Sequence, residues 1–270
     1  MAFTDLQLAQ YLERIGYSGT VDLTPETLNG LSLAHVCSVP FESLDINLGQ
    51  PFGLDLDQVF DKLVLRRRGG YCFEQNTLFM EVLSTLGFVV RPMSARVRIG
   101  RARDFVPART HVFLEVALDG ELWLLDVGVG GLSPTGALRW VHDEVQDTPH
   151  ESRRLIQEDG LWFHQALVAG EWVDVCDFTG ETMHPIDREL GHWYTSPHPG
   201  SHFRGRLMVA RATADGGRIT LLNDRLTVRS ADGTQSHHPV SHDRAVRLLE
   251  EHFGLVLPPG SVLDWAPTPT

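Results

Sequence analysis

A chain of 270 residues with 42% hydrophobic and 21% charged residues can bury the core of one large domain or of two to three small ones. Its formal net charge of -12 argues against a broad nucleic-acid or anionic-membrane surface, because phosphate binding needs a basic stripe. The compact basic run Arg66-Arg67-Arg68 reads as a solvated helix end, and three scattered cysteines (Cys37, Cys72, Cys176) cannot build a disulfide framework and leave at least one thiol free.

From Met1 to Ile15 the chain mixes Asp, Gln, Glu and Arg among apolar residues, unlike the basic-then-apolar layout of a signal peptide. No apolar run approaches the ~20 residues needed to cross a bilayer. A reducing cytoplasm, where a free thiol survives, is the expected compartment. Leu6, Leu8, Tyr11, Leu12 and Ile15 predict an apolar helix face, opened at Thr4 or Asp5 and stopped by Gly16. Thr24-Pro25-Glu26 opens a second helix carrying Leu28, Leu31 and Val36. Asp57 is placed to cap a further segment through Val59, Phe60, Leu63 and Val64. From Phe73, apolar Phe79, Val82, Leu83 and Leu86 recur at i, i+3, i+4, i+7, and Gly87 terminates that helix.

The period then changes to two. Ala95, Val97 and Ile99 alternate with polar residues as in a half-buried strand. Runs beginning at His111 and ending at Val127 flank Asp119-Gly120, a strong hairpin signal because both residues tolerate positive φ. Asp159-Gly160 and Ala169-Gly170 suggest further turns, and strands are expected at Leu207–Ala210, Ile219–Leu222 and Leu226–Val228. A last helix, capped by Ser241 or Asp243, carries Val246, Leu249 and Phe253 and ends at Gly254. Helices first, then strands, then a mixed tail predict an α+β chain in three segments, 1–87, 88–198 and 199–270.

Cys72 stands in Arg68-Gly69-Gly70-Tyr71-Cys72-Phe73-Glu74-Gln75-Asn76, before or within the first turn of the Phe73 helix. The two glycines let the backbone turn sharply. A thiol there faces unpaired N–H groups and the positive end of the helix dipole, which favours thiolate over thiol. The same N–H groups are placed to receive an oxyanion. Cys37 and Cys176 lack such a setting and read as buried structural thiols. If Asp119-Gly120 is a two-residue turn, Leu118 lies opposite Glu121, Phe113 opposite Asp126 and His111 opposite Gly128. His111 and Asp126 then share a face as diagonal neighbours, roughly 7–8 Å apart at the backbone. An aspartate on this largely apolar hairpin needs a partner. His111 is within reach, and the pair is either a satisfied core contact or the base and orienting acid for Cys72.

At these residues the sequence resembles the arylamine N-acetyltransferase family. The matching segments are Val39-Pro40-Phe41-Glu42, Arg68 to Asn76, Thr110-His111 and Asp126-Val127-Gly128, with a looser match at Tyr194-Thr195-Ser196-Pro197 and Ser201-His202-Phe203. The resemblance implies a helical bundle over 1–87, a β-barrel over 88–198 and an α/β lid over 199–270, related distantly to papain-like and transglutaminase folds. It implies a ping-pong reaction in which Cys72, served by His111 and Asp126, takes an acetyl group from acetyl-coenzyme A (acetyl-CoA) and passes it to an arylamine, an arylhydrazine or an N-hydroxyarylamine. Glu42 and Arg68 match a supporting ion pair of the family, and Thr110, Val129, Gly130, Thr195, Ser201 and Phe203 become candidates for substrate and coenzyme A (CoA) binding. Val129 stands where the family usually has phenylalanine, which should enlarge or reshape the acceptor pocket, and Ser43 replaces a common asparagine.

The donor is thus a co-substrate and no bound cofactor is expected. The other histidines, including His198, His237 and His238, lack metal-ligand spacing, so no metal is assigned. The expected partners are small molecules, with neither nucleic acid nor membrane, and a homo-oligomer is an open option. The alternative within the fold is an amide synthase that releases or cyclises a polyketide chain. Hydrolysis and a non-catalytic binding protein are the further rivals.

Overall fold

The computed structural model describes residues 3–266. Helix α1 (Asp5–Ile15) opens where the Thr4 hydroxyl accepts from Gln7 N–H while the Gln7 side chain accepts from Thr4 N–H, and it ends at left-handed Gly16. Tyr11 and Ile15 enter the core, but Leu6 lies off that face and is 67% exposed. Helix α2 (Pro25–Ser38) starts at Thr24, whose hydroxyl accepts from Thr27 N–H. A short strand β1 (Phe41–Glu42) and a single turn α3 (Leu44–Asn47) follow. Helix α4 (Leu56–Phe60) is preceded by Asp55 rather than Asp57, which falls inside the first turn, where its charge suits the positive end of the dipole. One π-helical turn, Asp61–Leu65, continues it. Helix α5 (Cys72–Leu86) ends at Gly87, with φ 100°. Leu28, Leu63, Phe79 and Leu83 from these helices pack with Leu114 and Val116 of the following sheet.

Strands β2 (Val89–Val97), β3 (His111–Leu118), β4 (Glu121–Leu125), β5 (Leu138–Arg139), β6 (Arg153–Glu158), β7 (Leu161–Val168) and β8 (Glu171–Phe178) form an antiparallel sheet in the order β5-β4-β3-β2-β8-β7-β6. Bridges His142↔Leu155 and Gln146↔Arg153 bring the chain after β5 against β6, so the sheet closes nearly into a barrel. The hairpin has the expected register, Leu118 opposite Glu121, and Asp119 and Gly120 both have positive φ. Asp159-Gly160 and Ala169-Gly170 make the same kind of turn. The ladder stops at Leu114↔Leu125, so Asp126 and Gly128 do not pair with Phe113 and His111. The reason is local: the Asp126 carboxylate takes its own Gly128 N–H, which bends the chain out of the sheet. Ile99 likewise lies beyond the end of β2.

Helix α6 (Pro185–Thr195) crosses to a second sheet made of β9 (Met208–Ala212), β10 (Arg218–Leu222), β11 (Arg225–Arg229) and β12 (Gln235–Pro239). Strand β1 is its edge, with Phe41 opposite Ala210, so segment 1–87 supplies a strand to the sheet of segment 199–270. Helix α7 (His242–Phe253) covers that sheet with Ala245, Leu248, Leu249 and Phe253, whereas Val246 is 38% exposed. The architecture is the expected α+β arrangement of helices, a nearly closed barrel and a mixed C-terminal layer. No described helix is long and apolar enough to cross a membrane.

Candidate active site

Cys72 is the first residue of α5, so its N–H is one of those without an intrahelical acceptor. The preceding glycines allow the approach. A Cβ on Gly69 would lie 2.1 Å from the Pro40 carbonyl oxygen, and one on Gly70 would lie 2.9 Å from Glu74 Oε2. Gly70 instead exchanges backbone hydrogen bonds with the β1 segment, donating to Pro40 O and accepting from Glu42 N–H. Cys72 is 5% exposed and its thiol points to the Thr110 carbonyl at 3.8 Å.

The barrel brings an imidazole and a carboxylate. His111 is the first residue of β3, and its Nε2 lies 2.7 Å from Asp126 Oδ2, both groups being buried. The other Asp126 oxygen accepts from Asn76 Nδ2 and from Gly128 N–H, each at 2.9 Å. The ring and the Cys72 side chain open onto the same cavity and interact electrostatically. Burial works against the imidazolium. The charge and hydrogen bond of Asp126, followed by the Cys72 contact, outweigh it and raise His111 to about 10. The ring is therefore a cation at neutral pH.

Asn76 was quoted above only as part of a motif. It sits one turn along from Cys72 on the same face of α5, donates to Val112 O at 2.7 Å and accepts from Val127 N–H at 3.1 Å. It thereby staples the cysteine helix to β3, which carries His111, and to the segment after β4, which carries Asp126. Gly128 completes this joint. A Cβ there would lie 2.8 Å from the Cys72 Cα and 2.9 Å from Asn76 Nδ2. Gly128→Ala is expected to lower kcat/KM by about 100-fold, since a shift near 1 Å misaligns the reacting atoms. Wild-type kinetics in that variant would show that the approach is not needed.

Beneath the cysteine lies a charge network. Arg68 is not a solvated helix end: its guanidinium contacts Glu42 at 2.7 Å and Asp45 at 3.1 Å, and Arg66 alone of the run pairs at the surface, with Asp61. Lys62 contacts Asp45 at 2.6 Å and Glu74 at 2.7 Å. Glu42 Oε2 accepts from Leu44 N–H, and Glu74 Oε2 accepts from Tyr71 N–H at the start of α5. Burial pushes Glu74 up to about 7 against the opposing pull of Lys62. Lys62, Asp45 and Glu74 escaped the sequence reading. The available signal was Lys62, next to Asp61 between the apolar pairs Val59-Phe60 and Leu63-Val64.

A cavity of about 500 Å³ opens onto Cys72 and His111, and Thr110, Val129, Gly130 and Phe203 line it. Thr195 and Ser201 do not. The Thr195 hydroxyl donates to Gly191 O in the last turn of α6, and the Ser201 hydroxyl donates to Thr195 O while accepting from Phe203 N–H. Both side chains are thus consumed in holding the loop that presents Phe203. Among the described residues no group of three or more His, Cys, Asp or Glu side chains is gathered as for a metal ion.

The other thiols provide an internal contrast. Cys176 lies 4.0 Å from His164 Nδ1, deep in the barrel. Burial and then the Arg153 charge depress His164, and burial raises Cys176, so both are kept neutral. Cys37 is half-buried and is also pushed up by burial. A cysteine beside a histidine is inert here without the carboxylate.

Known proteins resemble this chain over most of its length. The family model described as N-acetyltransferase matches residues 24–262. The chain is 38% identical over 249 residues to the arylamine N-acetyltransferase of Escherichia coli (strain K12), covering 92% of this chain and 88% of that one. It superposes with a TM-score of 0.88 on the arylamine N-acetyltransferase of M. tuberculosis, at 40% identity over 92% of this chain and 93% of the other. The Mycobacterium marinum enzyme in complex with CoA gives a TM-score of 0.87 at 38% identity, covering 92% of each chain. The chain belongs to the arylamine N-acetyltransferase family of acyltransferases.

Proposed function

We propose that this protein transfers an acetyl group from acetyl-CoA to an arylamine, an arylhydrazine or an N-hydroxyarylamine through a thioester on Cys72. The observation that carries the reading is the His111–Asp126 contact of 2.7 Å, with His111 and Cys72 opening onto one cavity. The Cys72 sulfur adds to the donor carbonyl, the C–S bond to CoA breaks, and the proton held by His111 goes to the leaving thiolate. The amine then adds to the new thioester, His111 takes its proton, and the Cys72 sulfur leaves. The N–H groups at the start of α5 are positioned to receive the oxygen charge of both tetrahedral intermediates.

The arylamine and N-hydroxyarylamine classes rest on the relatives. One of them, in Salmonella typhimurium, 36% identical, is named for both arylamine N-acetylation and N-hydroxyarylamine O-acetylation. A relative crystallised with CoA supports the same donor here. The relatives that match are arylamine N-acetyltransferases, which does not favour the polyketide amide synthase. Val129 on the cavity wall leaves room beside the thiol, so acceptors with substituted rings are the expected preference. The chemistry needs Cys72 reduced, which a reducing cytoplasm supplies.

Acetyl-CoA added without an amine should release CoA in a burst equal to the enzyme present, leave an acetyl group on the Cys72 peptide, and then turn over slowly until an arylamine is added. Continuous release without amine would mean hydrolysis. No burst would remove the thioester route.

A further inference from the structure

The residue before Cys72 makes a hydrogen bond that the proposed chemistry does not use. Tyr71 is fully buried, and its hydroxyl lies 2.5 Å from Nδ1 of His192 in the last turn of α6. The other side of the ring fixes the direction of that bond. His192 Nε2 lies 3.1 Å from the Phe52 carbonyl oxygen, which can only accept. Nε2 therefore carries the ring proton, Nδ1 is the acceptor, and the tyrosine donates. Burial keeps both groups uncharged at neutral pH, holding the phenol well above its ordinary value and lowering the imidazole. The Phe52 ring closes over the pair, edge-on to Tyr71 at 5.8 Å and to His192 at 4.9 Å between centroids.

Both ends of this bond lead to Phe203. The Tyr71 ring packs edge-on against the Phe203 ring, with centroids 5.9 Å apart, and Phe203 lines the cavity with Cys72 and His111. From His192 the chain runs directly into the loop that presents Phe203. Ser196 N–H donates to His192 O, Ser201 donates to Thr195 O, and Phe203 N–H donates to the Ser201 hydroxyl. Apolar packing under this end of α6 is thin, because Gly191 has no side chain to bury while Leu190 and Trp193 face outward. The Tyr71–His192 bond is a polar anchor between the start of the cysteine helix and the end of α6.

We infer that Tyr71 and His192 are a pair of positioning residues, whose hydrogen bond fixes Phe203 as the wall against which the ring of an aromatic acceptor rests. The inference rests on the acceptor reading above and adds what sets the shape of the acceptor site. Without the bond, the end of α6 and the loop beyond it are free to shift. A gap of about 0.5–1 Å at a packed surface already forfeits roughly a quarter to a half of each contact. An acceptor with a ring feels that loss, and one without a ring does not.

The test compares p-anisidine with hydrazine, an acceptor that has no ring, in wild type, Tyr71→Phe, His192→Leu, His192→Asn and the double variant Tyr71→Phe/His192→Leu. In Tyr71→Phe and His192→Leu the ratio of kcat/KM for p-anisidine to that for hydrazine should fall about 10-fold, the size of one buried hydrogen bond. The loss should sit in the KM for p-anisidine rather than in kcat. The double variant should be no worse than either single one, since the same bond is missing in all three. His192→Asn should recover most of the ratio, because its amide oxygen can take the place of Nδ1. An unchanged ratio, whatever the melting temperature, would make the bond structural alone and overturn the assignment. An equal fall with both acceptors would put the effect on the Cys72 thioester, and additive losses would mean two separate roles; either result overturns the pair. A wild type that acetylates hydrazine but no arylamine would sink the acceptor reading itself, before any variant is compared.

Discussion

Replacing Cys72 by serine is expected to reduce amine acetylation by about 10⁴-fold or more while the protein stays folded. Serine keeps the volume of the site, and the helix start is held by Glu74 on Tyr71 N–H and by Asn76 on the barrel, neither of which uses the sulfur. What is lost is the sulfur nucleophile, because a hydroxyl is a much weaker acid and nucleophile than a thiol. Steady-state acetylation with a thermal melt alongside checks this. A variant with ordinary turnover would mean that another group carries the acetyl.

The second large effect is at Asp126. Asp126→Asn keeps the shape but turns an acceptor toward His111 into a donor or rotates the amide away from Asn76 and Gly128, so one of the three present contacts fails. Activity should fall about 10³- to 10⁴-fold, as expected when an imidazole loses its orienting acid. Stability changes too, with a definite sign. His111 is raised from 6.5 to about 10 in the folded protein, so the pair stabilises the fold fully below pH 6.5 and loses that contribution as pH rises through about 10. Breaking a buried pair costs about 3–5 kcal/mol. Urea unfolding should therefore show the variant weaker by an amount of that order near pH 6, with the gap closing toward pH 10. A gap independent of pH would mean that the two residues are not an ion pair.

These two residues could be placed from the sequence because local rules govern them. Asp119-Gly120 permits one hairpin register, which holds as far as Leu114↔Leu125, and the Asp126 carboxylate meets His111 just past its end. Cys72 follows two glycines and opens a helix whose apolar spacing is regular. The charge network could not be read in this way. Glu42, Asp45, Lys62, Arg68 and Glu74 come from separate stretches, and their pairing depends on how α4, its π-helical turn and α5 pack. Helix α6 was missed for another reason. It touches the core through Gly191, where a Cβ would come within 2.6 Å of the Phe73 ring, while Ile186, Leu190 and Trp193 face outward. Its apolar residues therefore mark the wrong side. Strand β12 is exposed throughout and holds its place as a sheet edge by backbone pairing with β11, which leaves no hydrophobic alternation to find.

The union of Phe41 with Ala210 has a consequence for how the enzyme comes off the ribosome. Cys72, His111 and Asp126 are all synthesised by residue 126, but the wall of the cavity that includes Phe203, Met208 and Leu221 emerges much later. A nascent chain halted between those points holds the Cys72 thiol with no chamber around it. Nor can β1 rest until its distant neighbour arrives, and such remote closures are slow. Activity should thus appear as one late event in synthesis, after the last strands have left the tunnel, rather than growing with chain length.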